Sequence, residues 1–152
     1  MGWSTRLQDI VICDKYGQPA AVVEVKVGQD VSEEVARQVA VYLWEMDASP
    51  PPSVRYFLVL TPSRGYLWRV RGRPELWGQP LSFSMEGIVQ RYGGLKDQPG
   101  LTHLSLAHLA DRWLSDLTLG RNDESLEVLT PLQESGFPDA IIGGDVYLEE
   151  NP

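Results

Sequence analysis

The sequence predicts an α/β domain in which a mixed β-sheet of about four to five strands is flanked by helices. Three observations predict it. Two segments rich in Val and Ile, Leu7–Cys13 and Ala20–Val27, flank the turn signal DKYGQP. Val31–Met46 carries apolar residues at helical spacing. Val54–Pro62 is a nearly continuous apolar run, and the alternating segment YLWRVRG follows it after a short turn.

Taken in order, Leu7–Cys13 and Ala20–Val27 form a hairpin. In the helix Val31–Met46, Ser32 is the expected N-cap, with Glu33 and Glu34 in the first turn, where the helix dipole favours anions. Val35, Val39, Tyr42, Leu43 and Met46 make its apolar face, and the prolines of SPPPS (Ser49–Ser53) end it. Val54–Pro62 reads as a strand buried on both faces, hence central. In YLWRVRG, Tyr66, Trp68 and Val70 point one way, and Leu67, Arg69 and Arg71 the other. RPELWGQP is irregular. Ser84–Tyr92 reads as a short helix stopped by Gly93 and Gly94. Leu101–Leu119 reads as a longer one, capped by Thr102, with Leu106, Leu109, Ala110, Trp113, Leu114 and Leu117 on its apolar face. Beyond Gly120 a short helix is expected near Asp123–Leu129 and a terminal strand within Ala140–Leu148. Residues 1–119 therefore read as the body of the domain, and residues 120–152 as an acidic extension packed on it or tailing from it.

Bulk properties exclude several classes. A chain of 152 residues fits one domain with a proper core. No stretch approaches the roughly 20 apolar residues that cross a bilayer, and the first residues lack the basic and apolar regions of a signal peptide. No membrane association is expected. The single cysteine, Cys13, cannot form an internal disulfide and reads as a small buried apolar residue, which fits a reducing, cytoplasmic location. There is no P-loop, Gly-x-Ser-x-Gly or Gly-x-Gly-x-x-Gly, so the simplest NTPase, hydrolase and dinucleotide readings fall away. His103 and His108 are five residues apart, off any common helix face, so they do not read as a zinc pair. The net charge of −8 argues against nucleic-acid binding by the surface as a whole. That charge is uneven. Arg55, Arg64, Arg69, Arg71 and Arg73 fall in a segment without a single acid, whereas the acids concentrate after Asp111.

The hairpin holds the chemistry. With the turn centred between Tyr16 and Gly17, antiparallel partners have numbers adding to 33, so Asp9 faces Glu24 and Asp14 faces Pro19. Facing residues have Cβ atoms about 4.5–5.5 Å apart. Lys26 shares the face of Asp9 and Glu24, while Ile10, Ile12, Val23, Val25 and Val27 point to the other face as core. Two carboxylates held that close repel each other. Three resolutions are open: one is protonated, Lys26 neutralises the pair, or a divalent cation sits between them. A solvated Asp–Lys–Glu surface patch is the competing reading.

Asp9, a spacer of about fourteen residues, and then VVEVK on the second hairpin strand resemble the signature of the PD-(D/E)xK nucleases, the restriction-endonuclease-like superfamily. The next helix adds RQVAVY, in which Gln38 and Tyr42 share a flank at i and i+4. Gln-x-x-x-Tyr after Glu-x-Lys is similar to the RecB-like branch. The pair RYFLVLTPSRGYLWRVR is similar to the sheet continuation in small bacterial, especially cyanobacterial, members, so the resemblance covers about Leu7–Arg71.

The resemblance implies a restriction-endonuclease-like core over residues 1–119. It implies a Mg²⁺ or Mn²⁺ site made by Asp9, Glu24 and the Val25 carbonyl, with Lys26 as the catalytic lysine. Gln38 and Tyr42 would position the nucleic-acid backbone or the attacking water. The implied activity is divalent-metal-dependent hydrolysis of DNA phosphodiester bonds. The alternative is a catalytically inactive module of the same fold, used in nucleic-acid binding or protein assembly. Many family members carry an acid on a helix ahead of the hairpin. Eight residues precede Asp9, too few for that helix, so any such carboxylate would come from elsewhere in the chain or from another subunit.

Arg69 and Arg71 form a stripe that reads either as a phosphate grip or as solvated charge, and Arg37, beside Gln38, reads either way too. A homodimer is one expected assembly, since a second protomer lets a small core embrace a duplex. The acidic C-terminal segment reads as a solvated face, an intramolecular cover or a binding tail for a protein partner.

Overall fold

The computed structural model describes residues 9–27, 31–46, 51–93, 102–121 and 124–148. Six strands form one sheet in the order β5-β4-β3-β2-β1-β6. They are β1 (Ile10–Cys13), β2 (Pro19–Val25), β3 (Tyr56–Leu60), β4 (Arg64–Arg69), β5 (Leu81–Ser84) and β6 (Asp145–Leu148). Only β2 and β3 run parallel, joined by the crossover helix α1 (Glu33–Met46); every other neighbouring pair is antiparallel. The sheet is mixed, as expected, but has six strands rather than four or five.

The additional strand is β5, and β5 and β6 form the two edges. LSFS is too short to show a period, and its last residue, Ser84, reads from sequence as the start of the following helix; the structure makes the segment β5 instead. It is held by pairing with β4, where Phe83 faces Gly65. β6 falls within the expected terminal strand but pairs with β1, far away in sequence. The C-terminal segment therefore supplies an edge of the same sheet that contains the hairpin. It also supplies α4 (Leu126–Ser135) and α5 (Phe137–Ile141). The helix expected at Asp123–Leu129 begins later and continues through Pro131 to Gly136, whose φ of +79° closes it.

Each face of the sheet buries a separate core. One face is covered by α1 and a short 3₁₀ turn at Pro74–Leu76, packing Ala36, Ala40 and Leu43 onto Val22, Phe57, Val59, Trp68 and Trp77. The other is covered by α2 (Glu86–Gly93), α3 (His103–Thr118), α4 and α5 over Ile10, Ile12, Val23, Val25, Leu58 and Leu67. β3 lies between β2 and β4 with all five residues buried, which is why it reads as uninterrupted hydrophobe. β4 alternates as its sequence does: Tyr66 and Trp68 enter the α1 side and Leu67 the other.

The helix starts follow local chemistry. Ser32 Oγ accepts the Val35 N–H at 3.2 Å, capping α1. Thr102 and Ser105 cap α3 reciprocally, each side chain accepting the other's backbone N–H. No helix among the described residues is long and apolar enough to cross a membrane.

Candidate functional site

The hairpin register places the acids. Ile10, Val11 and Ile12 pair with Val23, Val22 and Ala21, which is the expected register. It shifts between Ile12 and Cys13, so Cys13 pairs with Pro19 and the expected Asp14–Pro19 pairing does not form. The cause is local. Asp14 Oδ1 accepts the N–H groups of Tyr16 and Gln18 at 2.9 and 3.0 Å, and the Asp14 N–H donates to the Gln18 carbonyl at 2.8 Å. This tight turn draws the chain in. The shift lies on the turn side of the pairing, so the open end, where Asp9 and Glu24 stand, keeps its register.

At that end Asp9 Oδ2 accepts the Val25 N–H at 2.8 Å. Its neighbour Glu24 is buried at 7% exposure, and Glu24 Oε1 has no hydrogen-bond partner among the described residues. Lys26 Nζ stands 3.8 Å from Glu24 Oε2, with its own side chain 42% exposed. Burial and the negative charge of Asp9 together push the Glu24 carboxyl up to about 8, against the opposing pull of Lys26. This direction favours the first of the three resolutions, a proton held by the carboxylate pair. Lys26 is too distant and too solvated to cancel the effect.

α1 adds the opposite wall. An open cavity of about 420 Å³ between it and the end of β2 is lined by Glu24, Lys26, Gln38, Tyr42, Val35, Val39 and Leu43. Gln38 and Tyr42 thus meet Glu24 and Lys26 in one groove. Tyr42 is 60% exposed, an unusual value for an aromatic side chain on a packed helix.

The arginines stand elsewhere. Arg37 turns away from the groove, donating to the Gly78 carbonyl at 2.6 Å, with its guanidinium 5.8 Å from the Trp68 ring centroid. Arg69 lies on the opposite face of the sheet and donates to the Ser135 carbonyl at 2.9 and 3.2 Å. Arg71 lines a second open cavity, of about 380 Å³, together with Arg69, Gln79 and Glu134. The structure brings together Asp9, Glu24, Val25, Lys26, Gln38 and Tyr42, and does not bring Arg37, Arg69 or Arg71 to them.

One contact at the site was invisible to sequence reasoning. His103 Nε2 lies 3.1 Å from Asp9 Oδ1. Nothing in local spacing connects an N-terminal aspartate with the first turn of α3. The only available signal was that a protein with two histidines places each of them somewhere.

The donor chemistry fits a hard divalent cation. Two adjacent carboxylates, one with a buried unpartnered oxygen, supply what Mg²⁺ or Mn²⁺ takes from protein, the remainder coming from water and substrate phosphate. Among the described residues no third His, Cys, Asp or Glu joins them in a group that could hold a metal. Scans of the chain against protein-family models, curated proteins and solved structures gave no match.

Proposed function

We propose that this protein is a restriction-endonuclease-like nuclease that hydrolyses DNA phosphodiester bonds with Mg²⁺ or Mn²⁺. The observation that carries the reading is the buried, unpartnered Glu24 Oε1 beside Asp9, in a groove that also holds Lys26, Gln38 and Tyr42. Asp9, Glu24 and the Val25 carbonyl would hold the cation, which, when bound, supplies Lewis-acid polarisation of the scissile phosphate. Lys26 lines the groove with its side chain 42% exposed. Its ammonium stabilises the negative charge that develops on the phosphate oxygens or on the attacking water. The Gln38 amide donates to a phosphate, or donates to and accepts from a water, at the groove wall, and exposed Tyr42 offers a hydroxyl and a ring face to the nucleic acid. The test is nicking of plasmid DNA in Mn²⁺ by wild type and by Lys26→Ala. Losing one such donor costs about 10²–10³-fold in rate, so equal rates would refute the catalytic assignment.

A second reading is an inactive module of the same fold, serving nucleic-acid binding or assembly. It is favoured by the net charge of −8, which opposes phosphate binding by the surface as a whole. Titration with Mn²⁺ separates the two, since the module has no site that depends on Asp9 and Glu24.

A further inference from the structure

Asp9 is held at one oxygen and approached at the other. Val25 holds Oδ2 from within the hairpin, and His103 approaches Oδ1 from α3, an element on the far side of the sheet from α1. The start of α3 is well defined. Thr102 Oγ1 accepts the Ser105 N–H at 3.1 Å, and Ser105 Oγ accepts the Thr102 N–H at 2.9 Å. The helix then buries Leu106, Leu109, Ala110 and Trp113 against the sheet. His103 therefore reaches Asp9 from a separately capped helix whose apolar face packs into the same core as the hairpin. Its side chain is 51% exposed while that of Asp9 is 17% exposed, so the imidazole covers the carboxylate without becoming core itself.

We propose that His103 is a positioning residue for Asp9. Its Nε2–H donates to Asp9 Oδ1, and together with the Val25 N–H it fixes the rotation of the carboxylate. A carboxylate oxygen has two acceptor directions, so a hydrogen bond from His103 leaves one free for a ligand. Carboxylates that bind metals are commonly held by such partners, whose loss typically weakens metal binding about 10–100-fold. The inference rests on the reading of Asp9 and Glu24 as cation ligands. It adds that α3, rather than the hairpin alone, sets the affinity of the site.

The experiment measures Mn²⁺ binding from the electron paramagnetic resonance signal of the free ion, using wild type, His103→Ala, His103→Gln and Asp9→Ala. Thermal melting in chelator is recorded for each. A glutamine places its amide N–H near the position of the histidine Nε2, so it restores the donor without the ring. The expected result is roughly tenfold or greater loss of Mn²⁺ affinity in His103→Ala and recovery to within about threefold in His103→Gln. The melting temperatures of these two variants should agree. Unchanged or tighter binding by His103→Ala overturns the inference, as does an equal loss in both variants. Wild-type Mn²⁺ binding that Asp9→Ala abolishes, with His103→Ala unaffected, sinks only the role of His103. No Asp9-dependent binding by wild type sinks the cation site and this inference together.

Discussion

The Asp9 carboxylate accepts the Val25 N–H at 2.8 Å, which locks the residue opening the hairpin to the residue between Glu24 and Lys26. A side chain here does what a further backbone rung would do, and it holds one acid beside the other. Asp9→Ala leaves that N–H without its acceptor and should cost about 1–3 kcal/mol. Asp9→Asn keeps an acceptor oxygen and should recover most of the loss in urea denaturation, without recovering Mn²⁺-dependent cleavage. Equal destabilisation by both variants would assign the effect to charge instead of to the hydrogen bond.

Glu24 makes stability depend on pH in a definite direction. Its carboxyl is pushed up to about 8 by burial and then by Asp9, from an ordinary value of 4.5. Between those values the folded chain keeps a proton that the unfolded chain has released, so folding stability falls as pH rises through the window. The contribution is fully present below about pH 4.5 and is lost as pH passes about 8, an effect of a few kcal/mol. In chelator, the melting temperature of wild type should therefore decline more steeply from pH 5 to pH 8.5 than that of Glu24→Gln. Mn²⁺ at the upper end should raise the wild type selectively. Parallel pH profiles for the two proteins would show that Glu24 does not carry this proton.

β5 depends on one missing side chain. Gly65 pairs with Phe83, and a Cβ built on Gly65 would enter the Phe83 ring. Gly65→Ala should destabilise the protein by about 1–3 kcal/mol through overpacking. Adding Phe83→Leu to Gly65→Ala should cost less than the two single changes combined, because the smaller side chain gives the new methyl room. Strict additivity in chemical denaturation would contradict this packing.

A single carbonyl ties the far side of the sheet together. The Ser135 carbonyl, at the end of α4, accepts from the Tyr56 hydroxyl at 2.8 Å and from the Arg69 guanidinium at 2.9 and 3.2 Å. Tyr56→Phe should lose about 1 kcal/mol. Because both donors share one acceptor, Tyr56→Phe and Arg69→Ala should couple by about 0.5 kcal/mol or more in a double-mutant cycle. No coupling would mean that the two donors act independently of the carbonyl they share.

What the sequence by itself determined was local. The alternation of Ile10, Ile12, Val23 and Val25 against Asp9, Glu24 and Lys26 assigns the hairpin faces, because side chains on a strand repeat every two residues. Ser32 and Thr102 announce their helices because a cap needs only the next three residues. Gln38 and Tyr42 share a flank because a helix repeats every 3.6 residues. The charge on Arg37 and Arg69 was equally plain, but its use was not.

What only the tertiary structure decided was which distant groups met. Arg37 satisfies a carbonyl in the turn after β4, and Arg69 one at the end of α4. LSFS becomes a strand because β4 offers it an edge and Gly65 makes room for Phe83. The acidic C-terminal segment becomes sheet because β1 has an open side. His103 reaches Asp9 because the apolar face of α3 docks on the hairpin's core face, which carries the helix's first turn to the end of β1. Periodicity and caps are written within a few residues. The partners of polar groups follow from how buried faces pack, and packing sums over the whole chain.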